Sequence, residues 1–422
     1  MSPSVRLWIF STALLAGVLV VIAVLVNGGA GEGRATAHNG ASSPTPERVE
    51  RGRYLARVGN CGGCHTEPGG EPLAGGLVLE TDFGTFHTPN ITPDRATGIG
   101  DWSPAQFRAA MLRGQRSDGS PLYPACPYPS FTHVRADDLD AIYAWIRSMD
   151  PVEHETRAHD LDFPYAMRGL VNLWQWAFFE PGRLAERDGQ DEQWHRGRYL
   201  VEGLGHCNEC HRERGTFGNV REASDAPGGM IHGWYAPSLN SPWEAGLQLW
   251  STAEAADFLR SGKGRDTAMV GPMAGVVYDS LQHLRRDDAR AMAAYLRTRP
   301  TAEIEASGYQ VRPSPARVEA MMKRGKRLYS EDCADCHGES GEGGDGVSAL
   351  AGNRAVTMQN PTNIVRMIRR GGFPASTPGN PYPHGMPPFH GYSDRDIAAV
   401  ATYIRQSWGN SAPPVSTIGL AE

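Results

Sequence analysis

The sequence predicts an all-α fold: three small helical domains in tandem behind an N-terminal transmembrane helix. Three observations lead to that expectation. The pentapeptide Cys-x-x-Cys-His occurs three times, each copy stands between similar helix-forming segments, and residues 7–26 carry no charge. At roughly 100–200 residues per domain, a chain of 422 residues allows two to four such units.

The run from Leu7 to Val26 is interrupted only by Ser11, Thr12 and Gly17. Twenty helical residues rise about 30 Å, the thickness of a bilayer's hydrocarbon core. The apolar run of a signal peptide is usually shorter, about 7–15 residues, and ends at a small-residue cleavage site. The nearest such site here, Ala35 to Ala37, lies well beyond the run. An uncleaved anchor over residues 1–27 is the expectation and a cleaved signal the alternative; either exports the rest of the chain. Arg6 favours a cytoplasmic start, so the expected location is the inner membrane with the folded domains on the periplasmic side. Residues 28–46 are small, polar and rich in Gly and Ser, and read as a flexible linker.

The net charge is -6 and no basic cluster appears, which argues against a nucleic-acid partner, since phosphate binding rests on such clusters. Gly (50) and Pro (31) make up about 19% of the chain, against a usual level near ~12%. That favours turns and argues against a large parallel sheet. The seven cysteines divide into three close pairs and one remainder, Cys126. A disulfide framework would show an even number in a short chain.

The three pairs are Cys61-Gly-Gly-Cys64-His65, Cys207-Asn-Glu-Cys210-His211 and Cys333-Ala-Asp-Cys336-His337. Cys-x-x-Cys-His is the attachment signature of c-type haem: two thiols add to the vinyl groups and the adjacent His ligates the iron. One helical turn sets both sulfurs under one porphyrin edge and brings the imidazole to the metal. Structural zinc would account for the cysteines but not for a His after every pair. A thioredoxin-like redox pair would need a single motif in a βαβ context. The cofactors expected are therefore three covalently bound haems c.

Each motif is framed alike. Upstream stand Arg51-Gly52-Arg53-Tyr54-Leu55, Arg196-Gly197-Arg198-Tyr199-Leu200 and Arg324-Gly325-Lys326-Arg327-Leu328, each the lead of an amphipathic helix. Downstream, Trp102-Ser103 and Trp250-Ser251 precede Gly114 and Gly262 across helical spacing. Closing helices are expected over Ala141–Arg147, Ala291–Arg297 and Ala398–Arg405, with Asp137, Asp287 and Asp394 near their starts, where acids suit the helix dipole. The haem domains are placed at residues 47–156, 186–305 and 306–410, with an interdomain linker at 157–185 and a C-terminal tail at 411–422. Aromatic residues Trp174, Trp176, Phe178 and Phe179 of that linker are expected in the core between the first two units, with a partner or membrane contact as the alternative.

A c-type electron carrier usually completes its iron with Met, which raises the potential. Met386 lies 49 residues after His337 and Met273 lies 62 after His211, both in Pro-flanked loops. Met269 competes with Met273, but the Pro flank favours the latter. Counting 61 residues from His65 reaches Cys126, in Tyr123-Pro124-Ala125-Cys126-Pro127-Tyr128. A thiolate sixth ligand on the first iron follows, against the alternative of a buried inert Cys with Met111, His87 or His133 as fallback ligands. Axial-ligand identity spans roughly 0.8 V. An anionic thiolate stabilises Fe(III), so the first haem is expected below the other two in potential.

With these residues on the page, the chain resembles the three-haem cytochrome c subunits of bacterial membrane-bound dehydrogenases of the alcohol, gluconate, sorbitol or aldehyde type, over about residues 47–410. The resemblance rests on Gly-Ile-Gly-Asp101-Trp102-Ser, the Leu-Tyr-Pro-Ala-x-Pro-Tyr loop, the Phe163-Pro164 to Trp174 and Phe179 segment, Gly271-Pro272-Met273, and Met386-Pro-Pro-Phe through Ser407-Trp408-Gly409-Asn410. It implies cytochrome c-like domains relaying electrons from a catalytic subunit, with a molybdenum, flavin or quinone cofactor, to ubiquinone, a terminal oxidase or another respiratory acceptor. No substrate chemistry of its own is expected. That family has Met where this chain has Cys126, so ligation of the first haem is not carried over. The rival function is a stand-alone multihaem enzyme, a peroxidase or sulfur-oxidising cytochrome, using the His65/Cys126 haem.

Overall fold

Thr45 caps the first helix, α1 (Pro46–Val58), its side chain accepting from the Arg48 amide at 3.3 Å. The structure is a computed structural model that describes residues 44–222, 227–264, 267–302, 313–344 and 346–417. After α1 come the short helix α2 (Cys61–His65), strands β1 (Val78–Thr81) and β2 (Gly84–His87), and helices α3 (Pro104–Arg113), α4 (Tyr128–Phe131) and α5 (Ala136–Arg147). Strand β3 (Asp160–Leu161) and helix α6 (Leu170–Phe178) lead to the second unit. There α7 (Glu192–Arg198) runs on as a π-helical turn over Tyr199–Leu204, followed by α8 (Asn208–His211), β4 (Gly229–Ile231), β5 (Trp234–Ala236), α9 (Thr252–Ser261), α10 (Pro272–Asp279) and α11 (Arg286–Arg297). The third unit has α12 (Pro315–Asp332), α13 (Ala334–His337), α14 (Arg354–Thr357), α15 (Thr362–Arg370) and α16 (Asp394–Gln406).

The Trp-Ser…Gly spacing turns out to be a capped helix in the first two units. Ser103 and Ser251 form capping boxes with Gln106 and Glu254, and Gly114 and Gly262 end the helices at φ 60° and 71°. Glycine, with no Cβ, enters that left-handed region at no steric cost.

The all-α expectation is corrected. The chain mixes helix and strand: β1, β2 and β3 form an antiparallel sheet, with Val78 opposite His87 and Gly84 opposite Leu161, and β4 pairs antiparallel with β5. Val78-Leu-Glu-Thr-Asp-Phe-Gly-Thr-Phe-His87 has the β-branched and aromatic content of a hairpin. The long loops between haem motif and next helix must satisfy their own backbone groups, and short ladders do so.

Units one and two share one continuous core, in which Leu55, Val134, Leu139 and Ile142 meet Leu200, Leu204, Leu284 and Met292. The third unit has its own, built on Tyr329, Ile364, Ile368, Ile397 and Val400. It joins the second through reciprocal hydrogen bonds between Asn363 and the Tyr235 backbone (2.9 and 2.7 Å) and through Arg354, which donates to the Pro242 and Gly246 carbonyls.

The membrane expectation is also corrected. Residues 1–27 lie outside the described residues, and among those described no helix is long and apolar enough to cross a membrane. The longest, α12, carries charge throughout its 18 residues. The expected transmembrane helix thus has no counterpart among the described residues. In the linker, Trp174 and Phe179 set their rings against Tyr128, and Trp174 Nε1 donates to the Phe217 carbonyl of the second unit at 2.8 Å. Trp176 does not join that core: it is 80% exposed.

Candidate haem centres

Centre one begins where α1 ends. Asn60 takes a left-handed conformation (φ 52°) that turns the chain into α2, which carries Cys61, Cys64 and His65 on one turn. All three are partly buried. Burial, reinforced by Cys64, pushes the Cys61 thiol up to about 12, and burial raises Cys64 as well. Neither is paired in a disulfide. His65 Nδ1 donates to the Pro89 carbonyl at 2.8 Å, and burial holds its pKa below the usual range. Because a carbonyl only accepts, the ring proton sits on Nδ1 and Nε2 keeps its lone pair for a metal.

Cys126 stands in a tight loop: its amide donates to the Tyr123 carbonyl (3.1 Å) and its carbonyl accepts from Tyr128 (2.8 Å), which opens α4. Burial pushes this thiol up to about 12, with Cys64 the next contributor and Cys61 also acting on it. Cys126 belongs to the same unit as Cys61 and Cys64 and, like them, is partly buried. A thiol so placed would need a strong local cation, such as ferric iron, to become a thiolate. Of the fallback ligands, Met111 lies within α3, His87 closes β2, and His133 Nδ1 donates to the Gly182 carbonyl at 2.6 Å.

Centre two repeats the pattern. His206 (φ 39°) turns the chain as Asn60 does, Cys207 and Cys210 are pushed up by burial to about 12 and about 11, and His211 Nδ1 donates to the Pro237 carbonyl at 2.7 Å. Met273 lies in the first turn of α10, and Met269 in the loop before it, its amide donating to Gly262; both pack against the shared core.

At centre three, burial raises Cys333 to about 11 and lowers His337, outweighing the opposite effect of the Ser348 backbone. Cys336 is exposed. Met386 is held by a two-way backbone bridge to Gly372 (3.0 and 2.8 Å) and packs against the third core.

These residues fit a haem. Among the buried polar atoms that lack a partner, Asn60 Oδ1 and Arg212 Nε stand next to the first two motifs in the chain. Buried polar atoms are normally paired, so each leaves room for a further group beside its motif. The carbonyls of Pro89 and Pro237 escaped the reading of the sequence. A signal was present: Thr88-Pro89-Asn90-Ile91 and Ala236-Pro237-Ser238-Leu239 follow their histidines at similar distance.

Comparison with known proteins identifies the family. The cytochrome c family model matches residues 49–150 and 322–408. The chain is 36% identical over 386 residues to the cytochrome c subunit of alcohol dehydrogenase (quinone) from Gluconobacter oxydans, covering 86% of this chain and 79% of that one. It is 36% identical over 391 residues to the gluconate 2-dehydrogenase cytochrome c subunit from Pantoea cypripedii, covering 87% of each. A diheme cytochrome c-type protein from Cereibacter sphaeroides is 38% identical over 261 residues, 60% of this chain and 87% of that one. The chain belongs to the cytochrome c subunits of dehydrogenase complexes, and its role is electron transfer.

Proposed function

We propose that the chain carries three covalently bound haems c and relays electrons from a catalytic dehydrogenase subunit, oxidising an alcohol, aldehyde or sugar, to ubiquinone or another respiratory acceptor. Haem iron supplies one-electron transfer between ferrous and ferric states. Cys61 and Cys64, Cys207 and Cys210, and Cys333 and Cys336 anchor the porphyrins. His65, His211 and His337 are the proximal ligands, and Cys126, Met273 and Met386 the sixth ligands. The observation that carries the reading is the pair of bonds from His65 to Pro89 and from His211 to Pro237, which fix tautomer and ring orientation for metal binding. With a His and one further residue held on each iron, no face would be open to peroxide, which favours electron transfer over the rival enzyme.

The test is a pyridine haemochrome determination on the purified chain, followed by reduction with a partner dehydrogenase and its substrate and reoxidation by a ubiquinone analogue. Three haems per chain, falling to two in Cys61→Ala/Cys64→Ala, and transfer to the quinone are expected. Fewer than three haems, or substantial turnover of peroxide by the chain alone, would overturn the reading.

A further inference from the structure

Units one and two are related by a reciprocal clasp. Tyr54 of the first lead helix donates to Asp288 Oδ2 in the second unit at 2.6 Å, and Tyr199 of the second donates to Asp138 Oδ2 in the first at 2.6 Å. Each carboxylate is also held by its own unit's arginine, Asp138 by Arg51 Nε (3.0 Å) and Asp288 by Arg196 Nε (2.7 Å). Each tyrosine is covered by an arginine of the other unit, Arg285 over Tyr54 at 4.4 Å and Arg135 over Tyr199 at 5.0 Å. Residue i contacting j while j's counterpart contacts i's is the mark of a two-fold interface, here formed within one chain.

The same near-symmetry crosses the ligand loops. Helix α4, just after Cys126, packs against the π-helical turn that enters centre two, and Ser130 Oγ donates to Glu209 Oε1 inside the Cys207–His211 motif at 2.8 Å. In the other direction α10, which carries Met273, packs against α2 of centre one, and Ser280 Oγ donates to the Val58 carbonyl at 3.1 Å. His206 Nε2 reaches the Gly59 carbonyl, tying together the residues that precede the two motifs (3.3 Å). Among the described residues the third unit shows no such clasp: Arg327 stands where the others have Tyr, and Asp396 pairs with Arg324 of its own lead helix.

We propose that the first two units form a pseudo-two-fold pair in which each centre's sixth-ligand loop is braced by the other unit, so that the first two haems titrate as an interacting couple while the third titrates alone. The proposal rests on haems occupying centres one and two. The transfer within the couple moves one electron, oxidising one iron from ferrous to ferric and reducing the other. Tyr54, Tyr199 and Ser130 are positioning residues, since they touch the braces and not the metal. The diheme relative, whose match is 261 residues long, has the span of such a two-unit module.

The test is potentiometric titration of the full three-haem chain with spectra resolved for each centre. In the unaltered chain the first two haems are expected to deviate from independent one-electron curves. Cys126→Met should shift the half-reduction point of the second haem, leaving that of the Met386 haem in place. Tyr54→Phe/Tyr199→Phe, which removes two hydroxyls, should shrink that cross-effect at least tenfold in equilibrium constant. A haem count below three would overturn the proposed function and this inference together. Three haems with independent curves in the unaltered chain, a measurement that needs no variant, would overturn the inference alone.

Discussion

Gly52 lies so close to Ala141 that a Cβ on it would fall 1.8 Å from the Ala141 carbonyl oxygen. The same contact recurs between Gly197 and Ala291 (1.9 Å) and between Gly325 and Ala399 (2.2 Å). In each unit the lead helix crosses the closing helix at the glycine of its Arg-Gly motif, and the crossing sets the floor on which the haem motif stands. Gly325→Ala is expected to force the helices apart, at a cost of ~1–3 kcal/mol or more from overpacking. Because the third core is separate, calorimetry should show an early transition for that unit with the other two little changed; a single unshifted transition would contradict this.

Replacing Cys126 by Met should change the first haem alone in its spectrum. Oxidised protein is expected to show a low-spin thiolate signal by electron paramagnetic resonance that vanishes in Cys126→Met. The midpoint potential should rise, each ~59 mV being tenfold in the one-electron equilibrium. An unchanged spectrum would remove Cys126 from the iron.

Acid should loosen the clasp. Burial tends to raise the pKa of Asp138, but Tyr199 and Arg51 outweigh it; burial likewise raises Asp288, outweighed by Arg196 and Tyr54. Both carboxyls end below their ordinary value near ~3.9. A depressed folded pKa means that the contribution is complete above the unfolded value and is lost as pH falls through the folded one. Unfolding followed from about pH 5 down to about 2 should therefore show stability falling below about pH 4. Asp138→Asn/Asp288→Asn should be less stable at neutral pH and show a flatter acid limb.

Arg405 is fully buried in the third core and donates to the carbonyls of Val356 (2.6 Å), Met358 (2.9 Å) and Pro413 (3.0 Å). Burial holds its pKa down to about 10. Arg405→Ala would strip donors from several buried carbonyls at about 1–3 kcal/mol each and leave a cavity. Loss of the third haem's Met-ligated spectrum, with the other two intact, is the expected outcome; retention of all three spectra and an unchanged melting temperature would refute the role.

The chemistry was local and therefore readable. Cys-x-x-Cys-His, the Ser caps at 103 and 251 and the glycines at 114 and 262 act within one or two turns, so their spacing in the chain is their spacing in space. The strands were harder, because the hairpin at Val78–His87 is short and is completed by Asp160 and Leu161, some 75 residues later. What only the tertiary structure decided are the contacts that join distant segments. They turn His65 and His211 onto the Pro89 and Pro237 carbonyls, and pair Tyr54 with Asp288 and Tyr199 with Asp138. A motif repeated three times announces three equal centres. The packing of residues 61 and 234 positions apart makes two of them a pair and leaves the third on its own core, since a carboxylate and a hydroxyl recognise each other only once the helices that carry them have been brought together.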